Sequence, residues 1–128
     1  MILASIIEKE SSVAEEVPII SGVFVRRLKK GMRLQADPTV IYGRDSGRSG
    51  RLTKEDLRAD TAYNTYTRPG LPLTPIATPS KASICAAFRP MAGDELYFVS
   101  KGDGTHYFST NLVDHKMAVN KFQRGISK

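Results

Sequence analysis

Apolar and polar positions change period several times along the chain, and each change marks an element. In Met1-Ile2-Leu3-Ala4-Ser5-Ile6-Ile7-Glu8-Lys9-Glu10, a helical period of 100° per residue gathers Ile2, Leu3, Ile6 and Ile7 on one side. Glu10 then falls near the centre of that apolar side and Glu8 on the opposite one. Ser12-Val13-Ala14-Glu15 has the form of a capping box, so a second helix begins there or closer to Pro18. Ile19, Ile20, Val23, Phe24 and Leu28 keep helical spacing, basic residues load the last turn, and Gly31 stops it. Arg26-Arg27 with Lys29-Lys30 reads as a solvated helix end that complements the helix dipole and needs no ligand.

The pattern then becomes less regular. Met32 to Gln35 suggests a short extended piece, and Asp37-Pro38-Thr39 a helix cap with proline at the first position. Gly43 to Gly50 is an exposed loop by composition, and Thr53 to Leu57 one helical turn. Residues 61–79 form a long irregular stretch holding four of the seven prolines. Its tyrosines and apolar residues argue for an ordered groove wall, with Tyr63, Asn64, Thr65 and Tyr66 offering ring faces and hydrogen-bonding groups. A crossover whose tyrosines merely cover the core is the alternative. Ser80 can cap a helix through Phe88, ended by Pro90. Glu95–Val99 and Thr105–Ser109, joined by Lys101-Gly102-Asp103-Gly104, predict a β-hairpin. Asn111 with Asp114 starts a last helix, with Leu112, Met117, Val119 and Phe122 available for its core face. The sum is α+β: a mostly helical single domain over residues 1–128 with one hairpin, and room for one small extra sheet.

Composition narrows the class. A hydrophobic fraction of 41% and a charged fraction of 25% suit a globular domain. No stretch nears the ~20 apolar residues of a membrane span, and the N-terminus lacks the basic leader and cleavage site of a signal peptide. Read alone, this gives a cytoplasmic protein or a domain taken from a longer exported chain. The net charge of +6 favours an anionic partner. The basic cluster carries no interleaved aromatics, so nucleic acid is a distant possibility. Cys85, alone on an Ala-rich segment, reads as a small buried hydrophobe and cannot form an internal disulfide.

Several chemistries lack their residues. His106 and His115 have no partner at metal-ligand spacing, so no metal and no cofactor are expected. There is neither a phosphate-binding glycine loop before a helix nor a Gly-x-Ser-x-Gly elbow. Carboxylates remain. A carboxyl held against an apolar wall has a raised pKa, as a general acid near neutral pH requires. Glu10 fits that description, unless the helix ends by Lys9 and Glu10 turns into water. Asp37 is the only other carboxylate beside a distinctive motif, and the helix cap explains it. A lone acid is compatible with a lytic mechanism, in which a sugar's own C6 hydroxyl replaces water as nucleophile. An ordinary glycosidase using Asp37 to activate water, and a non-catalytic binding module, are the rivals.

A resemblance adds to this reading. The segments 4–11 (ASIIEKES), 22–28 (GVFVRRL), 34–43 (LQADPTVIYG), 63–66 (YNTY), 70–72 (GLP), 75–79 (PIATP), 96–99 (LYFV) and 106–108 (HYF) occur in order. Together they closely resemble the catalytic domain of the endolytic murein transglycosylase MltG (YceG-like) family. The resemblance implies an enzyme of the bacterial inner membrane whose active domain faces the periplasm. Such enzymes cut glycan strands of peptidoglycan between N-acetylmuramic acid and N-acetylglucosamine, leave 1,6-anhydromuramic ends, release nascent strands and work beside peptidoglycan synthases. It implies a lysozyme-like active-site cleft and matches the family's catalytic glutamate to Glu10. Gln35, Tyr63, Asn64 and Tyr66 are the expected groove contacts, and His106 lines the cleft or braces the hairpin. The family's membrane helix and LysM-like region have no counterpart in these residues, so membrane contact is expected only through that anchor. Leu73 stands where a second proline often follows Gly-Leu-Pro.

Overall fold

Helix α1 (Ile2–Glu10) buries Ala4, Ser5, Ile6 and Ile7 and ends where the Ser11 amide reaches back to the Ile7 carbonyl. A computed structural model of the chain describes residues 1–11, 13–44 and 52–124. Of the positions the helical spacing selects, Ile6 and Ile7 are fully buried and Ile2 and Leu3 half-buried, while Ala4 and Ser5 are buried beside them. Ser5, polar yet fully buried, donates to the Ile2 carbonyl at 2.6 Å and accepts from the Ile76 amide at 3.0 Å. Both bonds meet the requirement that a buried hydroxyl find partners. Glu8, on the outer side, accepts from the Ser80 amide at 2.8 Å and the Ser83 hydroxyl at 2.9 Å. It thereby ties α1 to the start of α5 (Lys81–Phe88), whose own cap is Ser80.

A 3₁₀ turn (Ala14–Glu16) leads into α2 (Val17–Lys30), with Pro18 in its first turn and Gly31 closing it at φ 73°. That left-handed conformation is the one glycine adopts without a Cβ clash. The second candidate start, at Ser12, lies outside the described residues. Ile20, Val23 and Phe24 are buried, and Phe24 meets Phe98 edge-on at 5.6 Å. Ser21 bonds the Ala86 carbonyl at 2.6 Å, drawing α5 against α2. Gly22 lies so close to the Met91 carbonyl that a Cβ would come within 2.4 Å of it.

Helix α3 (Asp37–Gly43), the single turn α4 (Lys54–Arg58) with its Thr53–Asp56 capping box, and the irregular stretch after it complete this side. Thr39 and Thr65, both buried, share a 2.9 Å hydroxyl contact, and Thr65 Oγ1 also accepts from the Ala36 amide. Strands β1 (Tyr97–Ser100) and β2 (His106–Ser109) pair antiparallel with Phe98 opposite Phe108. They form the one sheet among the described residues, so Met32–Gln35 is not a strand. Helix α6 (Leu112–Val119), capped by Asn111, and a π turn (Asn120–Arg124) pack on the hairpin. Ile6, Ile7, Ile20, Phe24, Leu34, Ala36 and Ile76 centre the core.

Three expectations change. Arg26 and Arg27 are not a solvated end: Arg26 bonds the Glu95 and Met91 carbonyls, and Arg27 is buried against the hairpin. The backbone carbonyls of Arg33, Met91, Glu95 and Leu96 supply the acceptors that make burial tolerable. Cys85 is exposed, because α5 turns Ser83 and Ala86 inward instead. On α6 Leu112 and Met117 are exposed and Ala118 is buried, since so short a helix lying close to the hairpin has room only for a small residue there. Much of the Gly43–Gly50 loop lies outside the described residues.

Candidate active site

Glu10 stands at the end of α1 where the helix meets a cleft of about 360 Å³. Its walls come from four places: Arg27 of α2, the Leu34–Asp37 segment, Tyr66, and the hairpin with α6 (Phe98, Val99, Ser100, His106, His115 and Val119). Burying Ile6 and Ile7 contributes roughly 2 kcal/mol each, which outweighs the cost of about 1–3 kcal/mol for desolvating a neutral polar group. The apolar face therefore docks and carries Glu10 with it. Burial, and then the nearby charge of Asp37, push the Glu10 carboxyl up to about 8. The hydrogen bonds from Ser80 and Ser83 instead hold Glu8 below the usual carboxylate range. Two glutamates two residues apart are thus set to opposite protonation states by what each faces.

Asp37 is not a helix cap. Ala36 occupies the cap position, Asp37 is the first helical residue, and its carboxylate projects into the cleft, where Oδ1 accepts from Tyr66 Oη at 2.5 Å. Burial, then the Asp37 charge and hydrogen bond, raise the Tyr66 phenol above its ordinary value, so it remains a donor. Gln35 has a left-handed backbone, φ 53°, the one non-glycine residue with positive φ among those described. Its amide bonds the Thr65 carbonyl at 3.2 Å and the next amide bonds the Thr65 hydroxyl. Those bonds hold a conformation costing about 1–2 kcal/mol and leave the Gln35 side chain on the cleft.

Of the expected site residues, Gln35, Tyr66 and His106 share the cleft with Glu10. His106 is also braced: Glu16 accepts from its amide at 3.0 Å and lies 2.9 Å from its Nδ1, and its ring meets Phe98 edge-on. Tyr63 and Asn64 do not line this cleft. Asn64 is buried, and its amide donates to the Leu57 and Ala59 carbonyls while its oxygen accepts from the Tyr66 and Thr67 amides. That leaves it little capacity for a sugar, so the expected groove contact is replaced by a brace behind Tyr66. Tyr63 packs edge-on against Tyr42 and bonds Thr74, beside a separate hollow of about 260 Å³.

Arg27 and His115 are cleft residues that the sequence reading passed over. Arg27 Nε and Nη1 donate to the Leu96 and Arg33 carbonyls, and its guanidinium lies 4.9 Å over the Tyr97 ring. His115 stacks on the same ring, and burial followed by the Arg27 charge lowers its pKa. The signal for Arg27 was present, since it follows Ile20 and Phe24 at helical spacing on the buried face. Among the described residues no group of three His, Cys, Asp or Glu is arranged to hold a metal ion.

Comparison with known proteins agrees in sequence and in fold. The chain is similar to the endolytic murein transglycosylase of Bacillus subtilis, 40% identical over 120 residues covering 94% of this chain and 33% of that protein. It is also similar to the endolytic murein transglycosylase of Streptococcus pneumoniae (serotype 2), 33% identical over 118 residues, 88% of this chain and 21% of that one. A crystal structure of a YceG-like protein from Listeria monocytogenes superposes with a TM-score of 0.83 at 42% identity, covering 91% of this chain and 38% of the other. The chain therefore spans a third or less of the length of these two curated relatives. A model of the YceG-like family matches residues 1–121, and the chain belongs to that family.

Proposed function

We propose that residues 1–128 are the catalytic domain of an endolytic lytic transglycosylase that cuts peptidoglycan glycan strands at the MurNAc–GlcNAc β-1,4 bond. The observation that carries the reading is Glu10, a carboxyl raised to about 8 at the wall of an open cleft. Such a group is about nine-tenths protonated at pH 7, against well under one per cent for an ordinary glutamate. Glu10 gives its proton to the glycosidic oxygen as the C1–O4 bond breaks. The resulting carboxylate takes the proton of the muramyl C6 hydroxyl as O6 bonds to C1, which closes the 1,6-anhydro ring and returns Glu10 to its acid form. Atoms and protons balance without water or a covalent enzyme intermediate, and no metal or cofactor enters.

The remaining cleft groups divide the work. The Asp37 carboxylate, held by Tyr66, supplies negative charge for an oxocarbenium-like transition state. Gln35 and His106 contact the sugar, and the cleft acts in the manner of lysozyme-like transglycosylases. In the cell the domain acts in the periplasm, anchored to the inner membrane by another part of its protein, and ends nascent strands beside peptidoglycan synthases. No helix among the described residues is long and apolar enough to cross a membrane.

A second reading has one observation in its favour: Asp37 shares the cleft with Glu10, as the second carboxylate of a muramidase would. Digestion in ¹⁸O-labelled water separates the two. The lytic route gives anhydro ends without label, whereas hydrolysis gives reducing ends carrying one labelled oxygen. A peptidoglycan-binding module would retain strands and yield neither.

A further inference from the structure

The cleft does not end at Gln35 and Arg27. These two residues also line an adjoining hollow of about 480 Å³, together with Arg33, Tyr97, Pro69 and Leu112. The two spaces differ in charge. Glu10 and Asp37 face the cleft, but among the described residues no Asp or Glu lines the hollow, which Arg27 and Arg33 border instead. Arg27 is 6% exposed and immobilised by two carbonyls and the Tyr97 ring. One of those carbonyls belongs to Arg33, whose own exposed side chain has no acidic partner among the described residues. Arginines fixed in this way at a cavity wall recognise carboxylates with good geometry and little loss of side-chain freedom.

Muramic acid carries, at O3, a lactyl group extended by a peptide with free carboxylates. O3 and the scissile C1 belong to one ring, so with C1 at Glu10 this substituent must leave the cleft within a single sugar. The hollow adjoins the cleft at Gln35 and Arg27, which border both spaces. We infer that the hollow bounded by Arg27 and Arg33 is a subsite for the carboxylate-bearing peptide of the muramyl residue being cut. The inference rests on the lytic reading above and adds to it a way to tell peptide-bearing strands from stripped ones.

The test is a binding measurement, so it does not depend on turnover. Soluble muramyl oligosaccharides are prepared in three forms: with stem peptides, with the peptide carboxylates amidated, and with the peptides removed. Each is titrated against the Glu10→Gln chain and against Glu10→Gln with Arg33→Glu added. Arg33 makes no side-chain hydrogen bond among the described residues, and circular dichroism verifies that the variant folds. The peptide-bearing form is expected to bind about tenfold more tightly than the other two, and Arg33→Glu to bring that ratio close to one. A ratio near one in the parent, equal binding of the amidated form, or a ratio that Arg33→Glu leaves intact would overturn the inference. Failure of the lytic reading shows elsewhere, as the absence of anhydro ends from every strand.

Discussion

Tyr66 Oη donates a 2.5 Å hydrogen bond to Asp37 Oδ1, and the Asp37 charge adds to burial in keeping Glu10 protonated. One bond thereby joins the irregular 61–79 stretch to the start of α3, and the Asp37 charge acts from there on the acid at the end of α1. Replacing Asp37 with Asn removes the smaller of the two causes of the Glu10 shift. The Glu10 pKa should fall but stay above 4.5, because burial is the larger cause. The alkaline limb of the kcat/KM–pH profile, at about 8 in the parent, should move to lower pH. A limb that stays in place would contradict the contribution of the Asp37 charge to the Glu10 pKa.

Stability should depend on Glu10 with a definite sign. Its folded pKa is raised, from 4.5 to about 8, so between those values the native state holds more protons than the unfolded state. Stability therefore decreases as pH rises through that window and is level above it. Glu10→Gln removes the dependence and should raise stability at the alkaline end on the order of 2 kcal/mol, after allowing for water in the cleft. Thermal melts of both chains across the window measure this. Parallel curves would contradict the raised pKa.

Gln35→Gly should separate stability from activity. Glycine accepts φ 53° without the Cβ penalty, so the variant should gain up to about 1 kcal/mol, less the entropy glycine adds to the unfolded chain. It also loses the amide side chain that lines the cleft, and kcat/KM should fall about tenfold. Denaturant melts and strand-cleavage kinetics read the two effects independently. A variant both less stable and fully active would be contrary to the assignment.

Asn64→Ala should act through folding. The substitution strips partners from the Leu57 and Ala59 carbonyls and from the Tyr66 and Thr67 amides, and should cost about 2–3 kcal/mol. KM should change little at a temperature where the variant is folded. A large rise in KM with unchanged stability would restore Asn64 as a groove contact.

What the sequence disclosed follows the length scale of the signal. Glu10 was legible because four isoleucine and leucine positions in one short helix define the face on which it lies. The hairpin and the Ser80 and Asn111 caps were legible because turn and cap chemistry is local. Asp37 was misread for the same reason: Asp-Pro-Thr imitates a cap, and only the fold brings Tyr66, 29 positions away, to its carboxylate. In the 61–79 stretch no period separates Tyr66 from Asn64, so which faces the cleft depends on the carbonyls of α4. Arg27 was hidden by its basic neighbours, although its spacing from Ile20 and Phe24 marked it as buried.

The most direct measurement of the central claim is digestion of defined glycan strands by this chain and by Glu10→Gln, with product ends read by mass. Glu10 as acid and then base predicts 1,6-anhydro ends from the parent and no cleavage from the variant, which keeps the shape of the site without a transferable proton. Normal cutting by Glu10→Gln would contradict it.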